Sequence, residues 1–403
     1  MCDKELWLEM DLYWFDGEGN TPARFFDRTE DLFRRNPRAR KGVSLCVGWL
    51  RDSVLCFDGD MEKEIVTCQA PTYKFWNYAR LRCCIDSLKR EAARRGIADF
   101  HVVIQLVGTE SMSIAPETTC AGWCGRTEER KERAKYNIEG HWFPQHPEID
   151  RERFGIPYLG SVIRTEEGNI PFYEYFAKKL VQMTSACGLD GAVFRDHTFS
   201  PSYIRGNRNR YIPAEDIEEN TQMFISFFRL IKQLNGDFIT IGYNSGSSPV
   251  EELRSHGFDL ERLCESGYLD VFIVETWASA WQDYWPPYSM GFTFQLQYVL
   301  ASLAFAKNTK CSVLFLVETF DAWEPWDSIH QYESKVLWEI WAYSHAELRT
   351  PEGSRRCAGC YISWMNHGYD LIDAAALGTI ADMLDYCKAS LAKRPKNSGG
   401  CIV

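Results

Sequence analysis

The sequence predicts one (β/α)₈ barrel, on three observations. Short runs rich in β-branched and aromatic residues alternate with longer amphipathic stretches, and each type occurs eight times in the 403 residues. No glycine-rich phosphate loop follows any short run, and no Gly-, Ser- or Pro-rich linker divides the chain. The residues beyond the roughly 250 of a bare barrel fall mainly after the predicted strands. Two doubly wound halves are the alternative, and these observations favour the single barrel.

The predicted strands are separated by stretches long enough for a helix, which is the spacing that parallel pairing requires. The strands are 6–15, 43–49, 100–108, 191–197, 238–244, 269–277, 311–320 and 360–366. The predicted helices are 21–35, 76–95, 172–187, 214–234, 249–264, 292–306, 332–347 and 377–392. Glycines follow four of these helices and precede a strand, as helix C-caps do: Gly96, Gly188, Gly236 and Gly267.

The long connections lie on one side of the predicted barrel. An insertion spans 109–171 after the third strand, and shorter ones span 50–75, 198–213 and 278–291. Each follows a strand, so the elaborated loops belong to the carboxyl face, where barrel active sites are built. We therefore predict one catalytic domain over 1–393 with a lid at 109–171, and a flexible tail at 394–403.

Composition excludes several classes of protein. The 45 basic and 56 acidic residues give a net charge of −11, which disfavours a nucleic-acid groove. No apolar run reaches the roughly 18 residues of a membrane span, and the first residues do not form a secretory signal. The fifteen cysteines are an odd number at irregular spacing, which is typical of reduced thiols. We predict a cytoplasmic protein without a cofactor or membrane partner. The sequence leaves open whether it forms a homo-oligomer.

Carboxylates mark the ends of several predicted strands. Strand one offers Glu9 and Asp11, and strands four, six and seven end at Asp196, Glu275 and Glu318. A carboxylate in a strand buried on both faces is costly unless it is paired or used in chemistry. These residues are therefore candidates for the active site.

Glu275 and Glu318 share a local pattern. Each is the centre of a Val-Glu-Thr triplet that ends an apolar run. Alternation along a strand places them on the same face as Ile273 and Leu316, pointing into the barrel mouth. A salt bridge with an inward arginine is the alternative role for either residue.

The residues 188–197, Gly-Leu-Asp-Gly-Ala-Val-Phe-Arg-Asp-His, resemble the retaining glycoside hydrolase barrels, including the α-amylase-like, α-galactosidase-like and α-fucosidase-like groups. In those barrels a Gly-x-Asp-Gly turn leads into a fourth strand that ends in the nucleophilic aspartate. The resemblance implies that Asp196 is the nucleophile and that Asp190 and Gly191 form the turn. Arg195 directly precedes the aspartate, which departs from the amylase pattern. The clan with an Asn-Glu pair on strand four is matched only at Glu318.

Two carboxylates across a barrel mouth suit glycosidic bond cleavage, because one protonates the leaving oxygen and the other stabilises or captures the anomeric carbon. We expect Asp196 to be the nucleophile, Glu318 the acid/base and Glu275 the reserve candidate. Asp11, His197 and Asn244 are expected to bind hydroxyl groups.

Tryptophans interleaved with polar residues follow strands six and seven. Aromatic rings bind the apolar faces of sugars, so these loops favour a small carbohydrate as the substrate, although the rings could instead anchor the loops. The candidate rings are Trp277, Trp281, Trp285, Trp323 and Trp326.

Other functions remain as alternatives. The same carboxylates could bind a divalent ion in a sugar isomerase or epimerase, and a non-catalytic carbohydrate-binding barrel is a third hypothesis. Cys120 and Cys124 with His141 or His146 could hold zinc. Cys357 and Cys360 precede strand eight at its amino end, which separates them from that set. We therefore predict no metal site.

Overall fold

The computed structural model describes residues 4–15, 21–47, 53–56, 64–68, 76–106, 112–113, 162–165, 168–195, 214–244, 259–276, 292–321, 326–351, 353–365 and 372–393. The predicted tail at 394–403 and most of the predicted lid at 109–171 lie outside these residues. The described strands are β1 (Glu5–Asp11), β2 (Arg40–Val47), β3 (Ser53–Cys56), β4 (Glu64–Cys68), β5 (Trp76–Asn77), β6 (Phe100–Leu106), β7 (Met112–Ser113), β8 (Val162–Thr165), β9 (Gly168–Pro171), β10 (Gly191–Arg195), β11 (Ile239–Asn244), β12 (Val271–Val274), β13 (Ser312–Asp321), β14 (Trp326–Asp327), β15 (Leu348–Thr350), β16 (Gly353–Arg355) and β17 (Gly359–Met365).

Eight parallel strands form a closed barrel. The main sheet has the order β12-β11-β10-β6-β2-β1-β17-β13-β14, and β12 also pairs with β13, which closes the ring. Helices lie between the strands, so the predicted (β/α)₈ fold is confirmed. Strand β14 is a short antiparallel addition to β13.

The described helices follow the predicted pattern with one addition, the short helix α7 (Ser328–Gln331), which was not predicted. They are α1 (Pro22–Arg34), α2 (Tyr78–Arg94), α3 (Phe172–Cys187), α4 (Ala214–Leu234), α5 (Leu260–Glu265), α6 (Phe292–Phe305), α7 (Ser328–Gln331), α8 (Glu333–His345) and α9 (Ala374–Lys393). Thr21 caps the first helix by accepting a hydrogen bond from the backbone of Arg24. Within the described part of the chain, no helix combines the length and apolarity needed to cross a membrane.

The chain divides into two compact units. The first comprises Met1–Val43, Leu88–His101 and Val271–Val403. It contains β1, β12, β13 and β17, and its helix α9 packs against α1 and α8. Arg95 joins helices α1 and α2 through ion pairs with Asp27, Glu30 and Glu91.

The second unit comprises Ser44–Ser87 and Val102–Asp270. It contains β10 and β11 with helices α3 and α4, whose packing includes the stacked rings of Phe176 and Phe227. The turn before β10 has a specific geometry: Gly188 adopts a positive φ of 77°, and the Asp190 carboxylate accepts the backbone N–H of Val102 at 2.8 Å. A Cβ on Gly191 would lie 2.1 Å from the Ile239 carbonyl oxygen, so only glycine fits there.

Side chains of the first unit fill the amino end of the barrel interior. The Glu5 carboxylate accepts two hydrogen bonds from Arg40 and one from the indole of Trp7. Trp7 is fully buried, and a Cβ on Gly42 would lie 2.4 Å from its ring. The ring thus occupies the space that Gly42 leaves open.

Several predicted boundaries and loops were wrong. The first strand ends at Asp11 and continues as a 3₁₀ helix over Leu12–Phe15, and α2 begins at Tyr78 after the short β5. The segments 50–75 and 109–171 contain strands: β3, β4 and β7 form a small sheet together with β5 (Trp76–Asn77), and β8 pairs with β9. In the predicted helix 249–264, the described helical residues begin at Leu260. Pairing between strands stabilises these short segments, and local periodicity does not report such pairing.

Candidate active site

The orientation of Glu318 follows from alternation along β13. The ring of Phe315 packs against Tyr343 of the outer helix α8, with centroids 5.7 Å apart. Phe315 therefore faces the helices, and Leu314, Leu316 and Glu318 face the barrel interior. Glu318 is 3% exposed. This agrees with the sequence prediction that Glu318 points into the barrel.

The neighbouring strand joins Glu318 to a second carboxylate. Ser363 of β17 is in register with Glu318 on one side and with Glu9 of β1 on the other. Residues in register in parallel strands point to the same face, so Glu9 also faces inward. Glu9 is 1% exposed. With strands about 4.8 Å apart, the Cα atoms of Glu9 and Glu318 are separated by roughly 10 Å.

Glu275 follows directly after β12, the other neighbour of β13. Ile273 is in register with Leu314, and continuing that register places Glu275 opposite Leu316. Glu275 then lies two residues before the level of Glu318 on the same face, which corresponds to a Cα separation of roughly 8 Å. It is 3% exposed, and the hydroxyl of Thr276 donates to the Leu316 carbonyl at 2.6 Å. That bond fixes the backbone beside Glu275.

A β-bulge follows Glu318 directly. Glu318 is in register with Ser363, but Phe320 is in register with Trp364, so β13 has one extra residue, Thr319. The Thr319 hydroxyl donates to the Ser363 carbonyl. Bulges at the rims of barrels redirect the chain next to active sites. This bulge separates the inward Glu318 from the residues that lead into the following loop.

Three buried carboxylates thus face inward from strands β1, β12 and β13, at the carboxyl end where the fold places active sites. Glu9 and Glu318 are each in register with Ser363, and the continued register of β12 places Glu275 opposite Leu316, two residues before Glu318. Carboxyl groups at such spacings can act as a proton donor and a charge stabiliser for one bond. In the described ranges, no group of three or more His, Cys, Asp or Glu side chains has the arrangement of a metal site.

His330 links the loops after β13 and β17. Its Nδ1 lies 2.6 Å from Asp327 and its Nε2 lies 2.9 Å from Asp373. Each aspartate also accepts backbone N–H groups at a helix N-terminus, Asp327 for α7 and Asp373 for α9. The hydrogen bond to Asp373, followed by that to Asp327, raises the pKa of His330, and the same bond lowers the pKa of Asp373. The ion pairs favour the protonated ring.

The other predicted site residues are described in part or not at all. Asp11 is the last residue of β1 and Asn244 the last of β11, but their side chains are outside the described part of the structure. The same holds for the ring of Trp326, whose backbone lies in β14. The residues wholly outside the described ranges are Asp196, His197, Trp277, Trp281, Trp285, Trp323, Cys120, Cys124, His141 and His146. Their roles stay predictions.

Glu9 is an end-of-strand candidate to which no role in the active site was assigned from the sequence. Glu5, Trp7 and Glu9 occupy alternate positions of β1, and the first two contact each other inside the barrel. This period of two was the available signal, because it assigns Glu9 to the same inner face. Because the first strand was predicted to extend beyond Asp11, a binding role was assigned to Asp11 and none to Glu9.

No protein-family model matches the chain, and no curated protein matches its sequence. Solved structures align with it over most of its length. The GH20 catalytic modules of the pneumococcal exo-β-D-N-acetylglucosaminidase StrH share 11% identity, with a TM-score of 0.49, over 98% of this chain and 90% of that one. The endo-1,4-β-mannanase from Rhizomucor miehei shares 11% identity with a TM-score of 0.43 over 94% of both chains. A chitinase from Chromobacterium violaceum shares 11% identity with a TM-score of 0.44, over 97% of this chain and 100% of that one.

Proposed function

We propose that this protein is a glycoside hydrolase that acts on a small saccharide or glycoconjugate. One observation carries the proposal: Glu275 and Glu318 both lie on the inner face of neighbouring strands at the carboxyl end of the barrel, and both are buried. Hydrolysis of a glycosidic bond needs a pair of carboxyl groups with different roles, and a buried setting can hold one of them protonated near neutral pH.

In this mechanism Glu318 protonates the departing glycosidic oxygen. Asp196, assigned by its resemblance to the retaining barrels, attacks the anomeric carbon and forms the glycosyl intermediate. Glu318 then deprotonates the water that hydrolyses it. Glu275 holds a sugar hydroxyl or tunes the acid, and it is the reserve candidate for the acid/base. Glu9 is a further carboxylate, in register with the same residue, Ser363, as Glu318.

The proposal includes exo-action in a pocket closed by the 109–171 insertion. Long loops on the carboxyl face of a barrel favour a pocket over an open cleft. It also includes a reducing compartment, since the nine cysteines whose side chains are described form no disulfide bond, among them the neighbours Cys357 and Cys360.

The test is hydrolysis of a panel of 4-nitrophenyl glycosides and reduced oligosaccharides by the purified chain, with and without a chelator. We expect release of one sugar at a time, with retained anomeric configuration by NMR, and no loss of activity in chelator. Loss of activity in chelator together with ketose formation would instead support the isomerase. Glu339→Gln is the matched control, because Glu339 is equally buried, at 3% exposure, but lies on the outer helix α8.

A further inference from the structure

A cavity lies at the opposite end of the barrel from the carboxylates. Its volume is about 440 Å³, and its walls include Lys4, Ser312 and Ala358, which precede or begin β1, β13 and β17. Val313 also lines it, five residues before Glu318 on the same strand. At the rise of a strand this places the cavity about 16 Å from Glu318. It is therefore separate from the proposed active site.

The lining of this cavity is strongly basic. Lys4, Lys310, Arg355 and Arg356 all contribute to it, and none of the described lining residues is acidic. The whole chain carries a net charge of −11, so four cations around one concave space run against its general composition. Cations that converge without carboxylates repel one another, and a bound anion removes that repulsion.

Arg355 is a fixed part of this wall. Its guanidinium donates to the backbone carbonyls of Lys307, Thr309 and Cys311, which come directly before β13. These neutral acceptors orient the group and leave its charge uncompensated. Arg356 differs, since it lies 3.0 Å from Glu347, and Glu347 also pairs with Arg349. Arg356 therefore contributes less net charge than Arg355.

The two lysines complete the arrangement. Lys4 and Lys310 are exposed, and in the described part of the chain neither forms an ion pair. Their flexible ammonium groups are free to close on a ligand, while the anchored arginine defines one side. Ser312 also lies in the lining, whereas the Thr309 hydroxyl beside it already donates to the Ala306 carbonyl at 2.9 Å. Fixed guanidinium, mobile ammonium and hydroxyl donors together are the groups that bind phosphate oxygens.

We propose that this cavity binds a small soluble molecule through a phosphate group. A dianion matches several cations better than a singly charged carboxylate does. The volume is within the range of small-molecule sites and exceeds what inorganic phosphate alone would fill, so the phosphate is carried on an organic group. This site would give the barrel a second ligand at the face opposite the proposed glycosidase centre.

The experiment is calorimetric titration of the full chain with inorganic phosphate and with phenyl phosphate, at constant ionic strength set with potassium chloride. We expect both to bind, phenyl phosphate more tightly, and acetate to bind weakly. Lys310→Glu and Lys4→Glu should each weaken binding by roughly tenfold or more, since one favourable charge contact is replaced by a repulsive one. Both side chains are exposed, so the melting temperature should not fall.

Lys393→Glu is the matched control, because Lys393 is an exposed lysine at the end of α9 that does not line the cavity. Its affinity for phosphate should change by less than about twofold. Glu318→Gln should also leave phosphate binding unchanged. The proposal would be overturned by no binding at tens of millimolar phosphate, by an equal loss in Lys393→Glu, or by phenol binding as tightly as phenyl phosphate.

Discussion

Glu9 and Glu318 lie on either side of Ser363, each in register with it. The arrangement puts two buried carboxylates on the inner faces of strands that flank β17, with a hydroxyl-bearing residue in register between them. For the proposed hydrolase, this places a further carboxylate near the acid/base candidate, on the side opposite Glu275.

Glu318→Gln should lower kcat by at least about 100-fold, because the amide has the shape of the acid but no proton to transfer. Substrates with a good leaving group should partly restore the first step, and added azide should restore turnover by attacking the glycosyl intermediate. Steady-state kinetics on 4-nitrophenyl and unactivated glycosides would measure both effects. Asp196→Asn should lose as much activity, but neither a good leaving group nor azide should restore it. If Glu318→Gln is nearly normal while Glu275→Gln is inactive, Glu275 is the acid/base.

Two glycine substitutions should have opposite effects on stability. In Gly359→Ala the new methyl group would lie 1.7 Å from the Glu5 carbonyl oxygen, so the barrel wall must shift and the free energy of unfolding should fall by several kcal/mol. Gly378 lies inside α9 with open space around it, and Gly378→Ala should raise that free energy by about 0.5–1 kcal/mol. Urea denaturation measures both. A neutral Gly359→Ala variant would contradict the close approach of β1 and β17.

His330 should make stability depend on pH. Its folded-state pKa is raised from the usual 6.5, so the native state binds the proton more tightly than the unfolded chain. The resulting stabilisation is present below about pH 6.5 and is lost as the pH rises through the folded-state value. The His330 side chain is 45% exposed, so screening by solvent limits this stabilisation to less than about 1 kcal/mol.

The test compares urea denaturation of the wild type and His330→Gln between about pH 6 and pH 8.5. The decline of stability with rising pH should be shallower in the variant, and the two curves should converge at alkaline pH. Asp373 acts in the opposite sense, because its pKa is lowered: its contribution is lost as the pH falls below about 4. Parallel curves for the two proteins would exclude a role for His330.

Much of the barrel was predictable because its strands are locally distinctive. The runs before Glu275 and Glu318 are apolar and β-branched, they end in a carboxylate, and alternation alone assigned both side chains to the interior. The turn from Gly188 to Gly191 was equally predictable, since the positive φ of Gly188 and the close approach of Gly191 to β11 each require glycine.

The rest depended on partners that are distant in sequence. The small sheet of β3, β4, β5 and β7 forms from segments too short to show a period, and only their pairing makes them strands. The bulge at Thr319 arises from register with β17, which no local pattern in β13 reveals. Whether Glu9 or Asp11 was assigned a role depended on where the first strand was predicted to end. The ends of helices and strands are the feature that a sequence pattern predicts least well.

The buried Trp7 ring and the Glu5–Arg40 ion pair precede Glu9 on the inner face of β1. For the proposed hydrolase, they block an approach to Glu9 along β1 from its amino end. Substrate and water would therefore enter, and both products leave, past the carboxyl end of this strand.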